Sequence, residues 1–196
     1  MTTPVCPALQ ADLVREYLLL VFAISAHAYT RGTHIAPEST PIDRAAASPP
    51  FATPAGLTAP LFLKWLLVFE DPIAHGIWLC RALPRAWLAQ GESLSVDAVP
   101  TAYGRIGYSL SSAIASHGTV HANLSLSSMM LAAPPPGGVV LRLRVPYTAL
   151  GKRLMLRNAT VGGRAWPRIN STDATIHFGT GQLTREIDIV ATFEEV

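Results

Sequence analysis

Charge is scarce in this sequence: only 14% of its 196 residues are Asp, Glu, Lys or Arg, and the formal net charge is +2. A nucleic-acid footprint needs a basic patch or stripe, and none is visible, so no nucleic-acid partner is expected. Cysteine is as sparse. Cys6 and Cys80 are too few for a disulfide framework and are not spaced as a CxxC site. The chain also lacks an HExxH helix, a glycine-rich phosphate loop before a helix and a nucleophile elbow, so neither a metal nor a cofactor is expected. No apolar run reaches the ~20 residues that a spanning helix needs; the one from Tyr17 to Ala28 falls short. Aromatic residues amount to 8%, which leaves few platforms on which a sugar ring could stack.

What is abundant is apolar surface. Hydrophobic residues make up 49% of the chain and mean hydropathy is +0.31, ample for the core of one domain or two small ones. The basic residues are almost all arginine, spread along the chain rather than clustered. That spread favours a GC-rich coding bias over bidentate recognition of carboxylates as the reason for the arginine count. Sequons at Asn123, Asn158 and Asn170 are glycosylation candidates if the chain enters a secretory lumen.

The first apolar segment, Leu13 to Ala26, has two readings. One is a secretory signal with Tyr17 to Ile24 as its h-region and Ala26-His27-Ala28 as an A-x-A cleavage site, which implies a secreted or lumenal protein. The other is a buried helix from about Ala8 to Ala26, apolar nearly all round because it packs among other helices. Next comes the polar stretch HAYTRGTHIAPESTPIDR, from His27 to Arg44. Prolines at positions 37, 41, 49 and 50 then preclude regular structure. A second helix starts at Thr53-Pro54 or Thr58-Ala59-Pro60 and stops at Glu70-Asp71-Pro72. Two acids at a helix C-terminus oppose the macrodipole, so partners for them are expected elsewhere.

From Ile77 onward the apolar period changes to two. Leu94, Val96 and Ala98 alternate with polar residues, as do Ile106, Tyr108 and Leu110, then Val120, Ala122, Leu124 and Leu126. Val139 to Val145 and Ile187 to Phe193 repeat the pattern. Half-buried antiparallel strands read this way. Turn residues separate them at Gly91-Glu92, His117-Gly118, Pro134 to Gly138, Gly162-Gly163 and Gly179 to Gly181. Trp87 and Leu88 fit one helical turn, with the indole closing an end of the sandwich. The expected fold class is α+β, mainly β: two N-terminal helices with a long loop in residues 1–71, then an antiparallel β-sandwich in residues 72–196.

Several segments carry a family resemblance. An apolar helix, the loop Thr30-Arg31-Gly32-Thr33 with Ala36-Pro37-Glu38, a helix ending in LVFED, then LPRAWLAQGESLSV and PTAYGRIGYSL resemble the C-terminal end of large α/α-toroid glycoside hydrolases of the α-L-rhamnosidase-like group. Val161-Gly162-Gly163-Arg164-Ala165-Trp166 is similar to the V-N-G-x-x-W turn of their sandwiches, with Gly162 where asparagine is usual. The resemblance implies a carbohydrate-active hydrolase fragment that is not catalytic alone, because a toroid needs about a dozen helices and this chain offers two. The missing partner is then an N-terminal catalytic domain, or the chain self-associates. The alternative is a non-catalytic glycan-binding or support module.

The polar loop holds the candidate site. Glu38 is the catalytic candidate, with His27, Tyr29, Arg31, His34 and Asp43 as substrate-binding candidates. Glycoside hydrolysis uses two carboxyl groups ~5 to 9.5 Å apart, and on the loop only Glu38 and Asp43 can form such a pair. The competing role for Glu38 is an ion pair with Arg31 or Arg44. Trp65 belongs in a core, and Tyr103 and Arg105 in fastening the sandwich to the helices.

Overall fold

The computed structural model of the chain describes residues 5–27, 35–37 and 52–196. The chain divides into two compact units, Met1–Leu66 and Leu67–Val196.

In the first unit the long helix expected from Ala8 to Ala26 is two helices, α1 (Val5–Gln10) and α2 (Val14–His27). The break falls at Asp12, whose φ of 57° is left-handed, a conformation that aspartate tolerates better than most residues. Burial on α2 is a stripe and not a full girdle: Val14, Tyr17 and Val21 are buried, whereas Leu19 and Phe22 are 71% and 55% exposed. The Tyr17 hydroxyl donates to the Phe62 carbonyl at 2.6 Å, which ties α2 to the second helical pair. That pair is α3 (Thr53–Gly56) and α4 (Thr58–Leu67), so both proline-bearing starts are used. Phe62 and Leu66 of α4 are buried. The half-buried Trp65 stacks on Phe62, with ring centroids 5.8 Å apart. Among the described residues no helix is long and apolar enough to cross a membrane.

The second helix does not run to Asp71. It stops at Leu67, and VFED is a strand, β1 (Val68–Asp71), paired antiparallel with β2 (Gly76–Leu79). The two acids therefore never meet a helix macrodipole.

The strands that follow are β3 (Ser93–Thr101), β4 (Gly104–Ala113), β5 (Thr119–Leu126), β6 (Val139–Arg142), β7 (Leu154–Val161), β8 (Arg164–Ala165), β9 (Ile169–Asn170), β10 (Thr175–Phe178) and β11 (Glu186–Glu195), with one-turn helices α5 (Ile114–His117) and α6 (Ser128–Ala132) between them. They form a six-stranded antiparallel sheet, β3-β4-β5-β11-β7-β8, and a five-stranded one, β1-β2-β6-β10-β9. The smaller sheet is mixed, because β2 and β6 run parallel. Ile77, Leu79, Leu141 and Ile176 of one sheet and Ile106, Leu124 and Ile189 of the other are fully buried and make the core. The mainly β fold class is thus the observed one.

Three local features depart from the sequence reading. Strand β6 ends at Arg142 and is buried on both faces, Val140 and Arg142 included, because it sits in the middle of the mixed sheet. In the 3-10 turn Arg85–Leu88 the residue that is buried is Leu88, and Trp87, expected to cap an end of the sandwich, stays 36% exposed. Tyr103 and Arg105 bond to His75, Ala98 and Ser127, all within the sandwich. Gly104 at φ 120° does permit a close approach: a Cβ there would stand 2.6 Å from Ser127 Oγ and 2.9 Å from Met130 N.

Candidate functional site

Of the polar-loop candidates only His27 is described, as the half-buried last residue of α2. Tyr29, Arg31, His34, Glu38 and Asp43 lie outside the described residues. Among the described residues no group of three or more His, Cys, Asp or Glu side chains is arranged to hold a metal.

The arginines of the mixed sheet are taken up by structure. The Arg81 guanidinium lies 4.2 Å from the Trp78 ring centroid and 5.2 Å from that of Phe69, with Asp71 Oδ2 3.5 Å away. Asp71 Oδ1 also accepts from the backbone N–H groups of Ile73 and Ala74, closing the β1–β2 turn. Glu70 accepts from Ala102 N at 2.7 Å and so ties that hairpin to the β3–β4 turn. These are the partners that the two acids were expected to have. Arg85, Arg142 and Arg144 donate to the carbonyls of Val145, Arg81 and Leu83. A guanidinium spent on main-chain carbonyls braces loops and leaves little to offer a substrate.

Two ionisable clusters in the sandwich are also structural. Cys80, at φ 59°, donates its thiol hydrogen to the Tyr108 hydroxyl at 3.2 Å, which in turn donates to the Leu67 carbonyl at 3.1 Å. Burial pushes the Cys80 thiol up to about 12, so it stays protonated and is no nucleophile at neutral pH. Burial likewise pushes Tyr108 far up, with Cys80 adding to the shift. His177 is held below the ordinary histidine value by burial first and the Arg168 charge second; its Nε2 meets Thr175 Oγ1 at 2.8 Å. Trp166 follows the hairpin at Gly162 and Gly163, both left-handed at φ 54° and 77°. Gly162 meets there the conformational need that asparagine meets elsewhere. The Trp166 indole packs 5.2 Å from the Phe178 ring and donates to the His177 carbonyl.

The open polar feature is the outer face of the six-stranded sheet. A depression of about 530 Å³ is lined by residues of β3, β4 and β5, among them Ser95, Asp97, Ser109 and Asn123. An adjoining one of about 330 Å³ shares Ser95, Ser109 and Asn123 and reaches His121 and Asp188. A third, of about 380 Å³, lies by Trp87 and Glu92. Each has a single carboxylate in its lining. The first is walled at one end by a bulge between Val96 and Val99 that folds over Gly107. The alternate serines of β3 and β4 were legible as the polar half of a period-two pattern. Their assembly into one surface needed the pairing of distant strands.

The sequon asparagines are placed differently. Asn123 is half-buried in the polar face, whereas Asn158 on β7 and Asn170 on β9 are exposed. The Asn170 side chain accepts from Thr172 N and Asp173 N and donates to Asp173 Oδ2, which makes a closed turn of that sequon.

No protein-family model and no curated protein matches the chain. Among solved structures it is similar to a GH127 β-L-arabinofuranosidase from Geobacillus stearothermophilus T6, at TM-score 0.37 and 12% identity over 71% of this chain and 18% of that one. It is also similar to a structure titled glycoside hydrolase, at TM-score 0.40 and 11% identity over 72% of this chain and 20% of that one. The chain thus spans about a fifth of the length of each. The named group is the GH127 arabinofuranosidases, not the rhamnosidase-like group. Likeness at this level establishes neither family nor activity.

Proposed function

We propose that this chain serves a carbohydrate-active hydrolase as its C-terminal part, the sandwich supporting a helical portion that carries the catalytic carboxyl groups. The observation that carries the reading is the apolar face left open on the helices. Leu19, Phe22 and Leu63 are 71%, 55% and 45% exposed. Full burial of such a side chain is worth ~1.5 to 3 kcal/mol, and a helix apolar on more than one side belongs among further helices. The order of helix, TRGT loop, helix and sandwich adds the toroid hydrolases as the kind of assembly that supplies them.

Chemistry supports the same division of labour. Cleavage of a glycosidic bond uses paired carboxyl groups, and each of the three depressions described on the sandwich has one carboxylate in its lining, Asp97, Glu92 or Asp188. In this reading Glu38 is the acid and His27, Tyr29, Arg31, His34 and Asp43 bind sugar hydroxyls.

The test is turnover of aryl glycosides. The 196-residue chain is expected to give none, and the longest natural polypeptide that contains it is expected to cleave at least one. In that polypeptide Glu38→Gln should lower kcat/KM by about 10²-fold or more. A natural product limited to these residues that is a clean, inactive monomer would overturn the reading. It would favour the second one, a glycan-binding or support module, which the polar sheet face favours.

A further inference from the structure

The outer face of the six-stranded sheet carries polar side chains for which the fold has no use. Register places Ser95, Ser109, Asn123 and Asp188 in one row across β3, β4, β5 and β11. Ser93, Ser111 and His121 form the next row. Neighbouring strands are ~4.8 Å apart and same-face residues ~7 Å apart, so the groups form a regular lattice. The side chains of Ser109, Ser111, His121 and Asn123 make no hydrogen bond to another described residue; Ser109, Ser111 and His121 are exposed and Asn123 is half-buried. Ser125, at the edge, is instead engaged by Glu186 at 3.0 Å.

We propose that this face binds a neutral oligosaccharide lying across β3, β4 and β5. Hydroxyl and amide groups both donate and accept, as sugar hydroxyls do, and short serine side chains lose little freedom on binding. Charge selects against an anionic chain. The face holds Asp97 and Asp188, whereas Arg105, the one guanidinium lining the larger depression, is held on the Ala98 carbonyl at 2.8 Å. The depression is of ligand size, about 530 Å³. Tyr108 is turned into the core, so no ring stacks on the sugar and the dissociation constant is expected near ~1 mM.

This inference rests on the carbohydrate-active reading for the class of ligand alone, and it is tested by binding without turnover. Saturation-transfer difference NMR on the full chain, with xylohexaose, cellohexaose and mannohexaose as probes and oligogalacturonate as the anionic control, reads it directly. At least one neutral hexaose should receive magnetisation. The doubly substituted S109A/N123A chain should bind it about fivefold more weakly or worse, while Leu150→Ala, at a site 83% exposed and outside this face, should not change it. Circular-dichroism melting establishes that both variants fold. Silence from all three neutral probes, equal binding by the double variant, or equally tight binding of oligogalacturonate would each overturn the proposal. A silent sheet in a chain whose parent polypeptide still cleaves glycosides would leave the hydrolase reading standing.

Discussion

Tyr108 shows how much one side chain holds in this fold. Its hydroxyl accepts from Cys80 Sγ and donates to the Leu67 carbonyl, and that carbonyl also accepts from Cys80 N at 2.8 Å. The three groups pin the left-handed residue after β2 to the start of β1. Phenylalanine at position 108 would keep the ring and its packing while leaving the buried Cys80 thiol without its acceptor and the Leu67 carbonyl with Cys80 N alone. Tyr108→Phe should therefore cost about 1 to 3 kcal/mol, read as a lower midpoint in urea unfolding with the m-value unchanged. A midpoint equal to wild type would mean that water replaces the hydroxyl. The period-two pattern already placed Tyr108 on the inner face; its pairing with Cys80 was beyond the sequence, because a contact across 28 residues leaves no periodic trace.

At the scale of elements the bulge in β3 is the feature on which the polar face depends. Ala98 adopts φ 46°, and the strand folds its backbone over Gly107 of β4. A Cβ at position 107 would stand 3.0 Å from the Val96 carbonyl oxygen and 3.1 Å from Ala98 N. Gly107→Ala should push the bulge outward at a cost of about 1 to 3 kcal/mol, seen as a lower Tm. A Tm within error of wild type would show that the bulge gives way freely.

Elements also mark where sequence reasoning held and where it failed. Alternation found the inner faces of β4, β5 and β11, and of β3 as far as Val96, since each has one face on the core and one in water; Ala98, expected on the inner face, is exposed instead, because the bulge after Val96 breaks the alternation. It could not find the parallel pairing of β2 with β6, because a non-local neighbour is encoded in no single stretch. VFED read as the end of a helix since the run from Trp65 to Phe69 is apolar throughout, and a strand of four residues has no period of its own. The break at Asp12 was missed for a different reason: aspartate is neither glycine nor proline, and its left-handed backbone announces itself only in the structure. Of the polar-loop site, His27 alone can be placed, at the end of α2.

The whole molecule divides its exposed apolar surface unevenly. In the sandwich the large exposed side chains are single residues scattered over separate turns and ends, such as Ile73, Met129, Tyr147 and Leu150, the ordinary condition of a soluble surface. The helices instead expose Leu19, Leu20 and Phe22 within one turn of α2, and Leu57, Leu61 and Leu63 along or beside α4. Several such side chains, each forgoing part of ~1.5 to 3 kcal/mol, favour association over solvation. The full chain should therefore scatter light as an oligomer or aggregate at micromolar concentration. Replacing Leu19 and Phe22 by glutamine should shift it toward the monomer without loss of far-ultraviolet circular dichroism, because neither side chain is in the buried stripe of Val14, Tyr17 and Val21. A wild-type chain that runs as a clean monomer would mean that the helical faces are satisfied internally, and the proposal that further helices cover them would fall with it.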